Sequence, residues 1–161
     1  FLGFGSLTPA IETALATGRG LFVLALTSNP EGASVQHAVG PARGPAGVPG
    51  PTASGSVAGA IAAAVGELNA AELAARGGAL GSIGLVVGAT IGDVAAVRGP
   101  LLAPGIGAQG AGAAELAAVF GNARRAVLAS TSRGVLGAGP GVAALRAAAR
   151  EATVVATGAL R

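Results

Sequence analysis

Gln109 and Arg133 carry polar groups at positions where an anion could be gripped. Gln109 lies in APGIGAQGAG, residues 103–112, which follows the apolar run GPLLAPG and precedes a helical pattern beginning near Ala113. Glycines between a strand and a helix leave backbone N–H groups free to face an anion at the helix N-terminus. Further on, the apolar run AVLAS ends in Thr131, Ser132, Arg133 and Gly134. A bidentate cation beside oriented N–H donors is what a phosphate dianion requires. A third candidate, Ser28, sits in TSNP immediately after the run LFVLAL. Its short hydroxyl both donates and accepts hydrogen bonds.

Each of these residues also has a plain reading. A glycine-rich turn before a helix is often only a turn, Arg133 alone reads as a solvated surface arginine, and Ser28 could cap a helix. His37 reads as a helix-surface or capping residue. Glu31 and Glu67 have no partner carboxylate at a spacing that would make an acid–base pair. Asp93 could cap a short crossover helix.

The composition removes several chemistries. The 161 residues include no cysteine, so disulfides and thiolate zinc sites are excluded. A single histidine rules out a multi-histidine metal site within one chain. Lysine is absent, and all 10 basic residues are arginine, scattered rather than clustered. With a net charge of +3 and 4 aromatic residues, all phenylalanine, nucleic-acid binding has little support. Hydropathy is high, yet Gly, Pro and Ala break the uncharged stretches, so no window of about 18 strongly apolar residues is expected and the chain reads as soluble. It opens with Phe1, Leu2, Gly3 and Phe4 inside an apolar segment, which reads as a truncated start rather than a signal peptide.

The elements that must hold these groups are short apolar strands separated by helices. Strands are expected at 21–26, 83–88, 100–103 and 126–129, and residues 1–4 could be the tail of an earlier one. None alternates polar with apolar residues, so both faces should be buried, as in a parallel sheet. Helices are expected from Thr8, read as N-cap with Pro9 in the first helical position, and over 57–76, 113–120 and 140–157. Strand and helix alternate about four times, the pattern of an α/β fold with parallel crossovers. Residues 39–56 hold four of the nine prolines and five glycines and read as a mobile loop. Residues 90–99 make a crossover near the minimum of about ten residues.

Taken in order, LGFGSLTPAIE, GRGLFVLALTSNPEGASVQHA, SIGLVVGAT, GPLLAPGIGAQGAGAAEL and VLASTSRGVL resemble orotidine 5′-phosphate decarboxylase in its long-chain, actinobacterial form. The resemblance covers most of the chain except 39–56. It implies the C-terminal part, about strands four or five to eight, of a TIM (β/α)8 barrel, with residues 1–161 a partial barrel. In such barrels the loops after strands seven and eight often hold a phosphate. The family's reaction converts orotidine 5′-phosphate to UMP and carbon dioxide, without metal or cofactor, in a cytoplasmic homodimer. A family lysine protonates C6 of the pyrimidine as carbon dioxide leaves, within an Asp-Lys-Asp-x-x-Asp array. That array is absent here, since there is no lysine.

The resemblance also assigns roles. Gln109 would grip the phosphate from the loop after strand seven, and Arg133 would pair with it from the end of strand eight. The backbone N–H of Ser132 would join them, at a position where many family members have Gly. Ser28 would hydrogen-bond the pyrimidine, and Pro104 and Ile106 would line the apolar side of the base pocket. No catalytic residue is expected in this chain, which would be the substrate-gripping half of a lyase and inactive alone. The partner would be a small-molecule nucleotide, not nucleic acid or a membrane. The alternatives are a non-catalytic phosphate- or nucleotide-binding half-barrel, possibly self-associating, and a gene fragment without a stable fold.

Overall fold

The structure is a computed structural model that describes residues 3–27, 29–39, 55–88, 97–105 and 118–161. Four strands, β1 (Leu21–Leu26), β2 (Ile83–Val87), β3 (Leu101–Pro104) and β4 (Val127–Ser130), form one sheet in the order β1-β2-β3-β4. Every neighbouring pair is parallel. The four strands therefore stand where the sequence places them, to within a residue at each end. Five α-helices are described: α1 (Thr8–Ala16), α2 (Ala33–Gln36), α3 (Val57–Arg76), α4 (Arg133–Leu136) and α5 (Val142–Leu160). Of the expected 113–120 helix, residues 118–120 are helical and the remainder lies outside the described residues. Most of the 39–56 loop and of the 90–99 crossover, Asp93 included, also lies outside them.

Two rows of residues cross the sheet, and their fates differ. Val23, Leu85, Leu101 and Val127 pair in register across the four strands and are all buried. They join Ile11 of α1, Ile61 and Val65 of α3 and Ala159 of α5 in one core. The adjacent row, Leu24, Val86, Leu102 and Leu128, points to the opposite face because strand side chains alternate. There Leu24 is 53% and Leu128 52% exposed, and Phe22 on the same face is 40% exposed. The expectation that both faces are buried is thus corrected: the helices cover one face, and among the described residues no layer covers the other.

Two further expectations need correction. Thr8 is the first helical residue of α1 rather than its cap. A 3-10 turn, Phe4–Leu7, runs directly into α1, so Leu7 takes the cap position with helical backbone angles and no side chain caps the end. Pro9 stays in the first turn, where its missing N–H costs nothing. The long helix α3 does contain an 18-residue window of mean hydropathy 1.3, enough by length and composition to cross a membrane. Its alanines, two valines, two leucines and one isoleucine raise the average. The same helix lays Ala58, Ile61, Val65 and Asn69 on the sheet as a single stripe.

The start of α3 is capped by Ser56, whose Oγ accepts the Gly59 N–H at 3.1 Å. Its end is tied to the start of β2 by two polar side chains. Asn69 is completely buried. Its Nδ2 donates to the Ile83 carbonyl at 2.7 Å and the Val97 carbonyl at 2.8 Å, and its Oδ1 accepts the Ile83 N–H at 3.1 Å. Gly81 and Gly99 leave room for it, since a Cβ at Gly81 would collide with its side chain and one at Gly99 with the Ile83 carbonyl and with Nδ2. One helical turn on, Glu72 accepts the Ser82 N–H at 2.7 Å and the Ser82 hydroxyl at 2.6 Å.

Candidate functional site

In a parallel sheet of this kind all four strands end on the same side, and ligand sites form from the loops that leave those ends. Thr27 follows β1, Gly88 follows β2, Pro104 ends β3, and Thr131 follows β4. The ends of β3 and β4 are locked together. Pro104 pairs in register with Ser130, and the Gly105 N–H donates to the Ser130 carbonyl at 3.0 Å. Gly105 has φ +88, so the chain turns away from β3 through a conformation that favours glycine.

Ser132 and Arg133 sit at the start of α4, immediately beyond β4. Ser132 is the N-cap residue, and its carbonyl accepts the Leu136 N–H at 2.8 Å. Arg133 is the first residue of the helix and is exposed, and among the described residues it has no ion-pair partner. Pro104 is half-buried at the tip of β3. The structure thus brings Pro104, Ser132 and Arg133 to two adjoining strand ends. Ser28, Ile106 and Gln109 lie outside the described residues.

At the end of β1 a polar chain flanks the Ser28 position, and the sequence analysis did not single it out. Gln36 of α2 holds Thr27 twice: its Oε1 accepts the Thr27 N–H at 3.0 Å, and its Nε2 donates to the Thr27 hydroxyl at 2.5 Å. The Thr27 hydroxyl donates in turn to Asn29 Oδ1. Gly32 permits the closure, because a Cβ there would lie 2.7 Å from the Gln36 amide nitrogen. Thr and Asn flanking a strand-end serine signal a side-chain turn. Gln36, nine positions from Thr27, gives no such local sign.

A groove among the described residues reaches the end of β4 at Thr131 and Ser132. It runs along the free edge of β4, with a volume of about 830 Å3, between that strand and α5, lined by Leu128, Ser130, Val135, Leu136, Thr153 and Leu160 among others. Among the described residues there is no group of three or more His, Cys, Asp or Glu side chains that could hold a metal ion.

The family model described as orotidine 5′-phosphate decarboxylase / HUMPS family matches residues 1–148. The orotidine 5′-phosphate decarboxylase of Salinispora arenicola is 53% identical over 153 residues, covering 92% of this chain and 49% of the relative. That of Streptomyces coelicolor is 52% identical over 156 residues, with the same coverage. A crystal structure from Streptomyces avermitilis, assigned as an orotidine 5′-phosphate decarboxylase, superposes with a TM-score of 0.79 at 49% identity, covering 99% of this chain and 52% of the other. One from Toxoplasma gondii, assigned as an orotidine-monophosphate decarboxylase, gives 0.64 at 25% identity. The chain spans about half the length of the curated relatives it matches.

Proposed function

This chain belongs to the orotidine 5′-phosphate decarboxylase / HUMPS family, and from that premise we propose that it is the substrate-gripping, C-terminal part of an orotidine 5′-phosphate decarboxylase. The reaction releases carbon dioxide from orotidine 5′-phosphate and leaves UMP. The observation that carries the reading is the locked pair of strand ends, Pro104 on Ser130 with Gly105 bonded to Ser130. The loop carrying Gln109 and the helix carrying Arg133 leave from those two ends. Within the proposal, Gln109, Arg133 and the Ser132 backbone hold the phosphate, Ser28 meets the pyrimidine edge, and Pro104 and Ile106 line its apolar side. Gln36, through Thr27, fixes the backbone that leads into Ser28.

The division of labour follows from side-chain chemistry. Loss of carbon dioxide leaves an electron pair on the pyrimidine that must take a proton, and this chain holds no lysine to supply it. We therefore assign it no catalytic residue and no cofactor. The complete enzyme is proposed to be a cytoplasmic homodimer acting on a free nucleotide, and residues 1–161 to form one partial barrel. Half coverage of the relatives also favours a second reading for the isolated chain, a nucleotide-binding half-barrel without turnover.

The test uses the protein extended to the length of its relatives. A charge-assisted contact is worth about 1.5–3 kcal/mol, so Arg133→Ala should lower kcat/KM by about 10- to 150-fold. The control substrate is orotidine, which lacks the phosphate. Binding energy at a remote phosphate serves to hold the reacting end, so the substitution should be nearly silent with orotidine. Equal losses on both substrates would show that Arg133 supports the fold instead.

A further inference from the structure

At the opposite end of the sheet, where β2, β3 and β4 begin, a second cleft of about 420 Å3 opens. Arg98, Arg125 and Asn122 line it, with Leu73, Leu80 and Ala123 as apolar wall. Among the described residues no acidic side chain lines it. The nearby carboxylate, Glu72, is occupied by the Ser82 hydrogen bonds and lies 3.7 Å from the Arg76 guanidinium. Neither Arg98 nor Arg125 has an ion-pair partner among the described residues.

The backbone at Arg98 supplies an independent sign. Among the described residues it is the one non-glycine residue with positive φ, +52. Its neighbours hold it there: the Val97 carbonyl is bonded to Asn69, the Arg98 carbonyl accepts the Gly81 N–H at 2.8 Å, and Gly99 is pressed against Ile83. That region of backbone space favours glycine or asparagine, and an arginine, with its Cβ, is uncommon there. The surrounding turns use glycine at 77, 78, 81 and 99, yet position 98 keeps arginine. A strained residue held in a cleft points from conformation toward use.

We propose that this cleft is an anion site for a phosphate- or diphosphate-bearing small molecule, gripped by Arg98 and Arg125 with Asn122 as a neutral donor. Two guanidiniums match the charge of a phosphate dianion and offer paired N–H donors to its oxygens. The apolar wall accommodates a non-polar group attached to the phosphate. The site lies at the N-terminal ends of the strands, so it stands or falls separately from the Arg133 reading.

The test is equilibrium dialysis of the protein extended to the length of its relatives and carrying Arg133→Ala, at low salt, against inorganic pyrophosphate and, in parallel, a nucleoside diphosphate. The readout is retained ligand, and the Arg133→Ala background keeps the strand-end phosphate site out of it. Arg98→Gly removes the cation while relieving the backbone, so it should weaken binding by about tenfold or more and leave Tm unchanged or raised. Arg125→Ala should weaken binding similarly. Arg124→Ala, next in sequence but not lining the cleft, should stay within about twofold of the parent, as a surface charge screened by solvent does. The ligand retained more strongly identifies whether the apolar wall contributes. Three results would each overturn the site: no retention by the parent chain, equal losses in Arg124→Ala, or full retention in Arg98→Gly and Arg125→Ala.

Discussion

Glu72 shows how one side chain can tie stability to pH. The hydroxyl and the N–H of Ser82 both donate to its carboxylate and hold its pKa below the usual 4.5, with a smaller contribution from Arg76. Arg76 is 63% exposed, so that ion pair adds little beside the hydrogen bonds. Because the folded-state pKa is depressed, the ionised carboxylate stabilises the fold above the unfolded value, and that contribution is lost as pH falls through the folded value. Glu72→Gln should destabilise by about 1 kcal/mol at neutral pH, because the amide oxygen can still accept the Ser82 N–H and the amide nitrogen can donate to the Ser82 hydroxyl, but neutral bonds replace charge-assisted ones. Its stability should then fall less steeply than the parent's on acidification below the usual glutamate value. Parallel acid unfolding curves for the two proteins would contradict the assignment. Asn69 is a harsher case. Asn69→Ala leaves the Ile83 N–H and two buried carbonyls without partners and opens a cavity, at a combined cost of about 3–5 kcal/mol. Denaturant unfolding should show that loss as a lower midpoint, and a change under about 1 kcal/mol would mean water replaces the amide.

At the scale of elements, the strands and long helices were legible because their signals are local and repeated. LFVLAL, IGLVVG, GPLLAPG and AVLAS are apolar runs bounded by glycine or polar turns, and the observed strands fall within them. The Ile61, Val65, Asn69 spacing marks the buried stripe of α3, and the asparagine in it is a visible departure from an apolar face. What it bonds was not legible, because Ile83 and Val97 are distant in sequence and their carbonyls carry no side-chain signature. The cap of α1 was misread for a similar reason: Thr8 has the right chemistry, but the 3-10 turn before it had already set the backbone. Of the candidate site, the residue types at two strand ends were legible, while the Gln36 clasp on Thr27 depends on where α2 packs. The sheet itself yields a prediction at Gly84. A Cβ there would lie 2.5 Å from the Phe22 ring and 2.5 Å from the Pro100 carbonyl. The ring can rotate but the carbonyl belongs to the start of the adjoining strand, so Gly84→Ala should cost about 1–3 kcal/mol through overpacking. Phe22→Ala should rescue little of that loss if the carbonyl is the true obstacle, which a double-mutant cycle measures.

At the scale of the molecule, the decisive contrast is between the two rows that cross the sheet. Val23, Leu85, Leu101 and Val127 lie under helices, whereas Leu24 and Leu128 are about half exposed at the two ends of the other row. Among the described residues β1 and β4 are each paired on one side only, which adds unpaired backbone groups on either side of that face. Apolar surface beside open strand edges templates association. The 161-residue chain should therefore behave as an oligomer, aggregate or loosely packed state, scatter light as such and bind a hydrophobic dye. The two rows make the cause separable from general instability. Leu24→Lys together with Leu128→Lys places charge on residues that are already wet, so it should reduce association and dye binding with little change in helical signal. Leu101→Lys buries an unpaired charge in the core, at a cost of several kcal/mol, and should abolish folding. If the parent chain instead runs as a single monomeric species with a sharp cooperative thermal transition, the open row is tolerated in water. A double substitution that leaves association unchanged would move its origin away from this face, to the groove between β4 and α5.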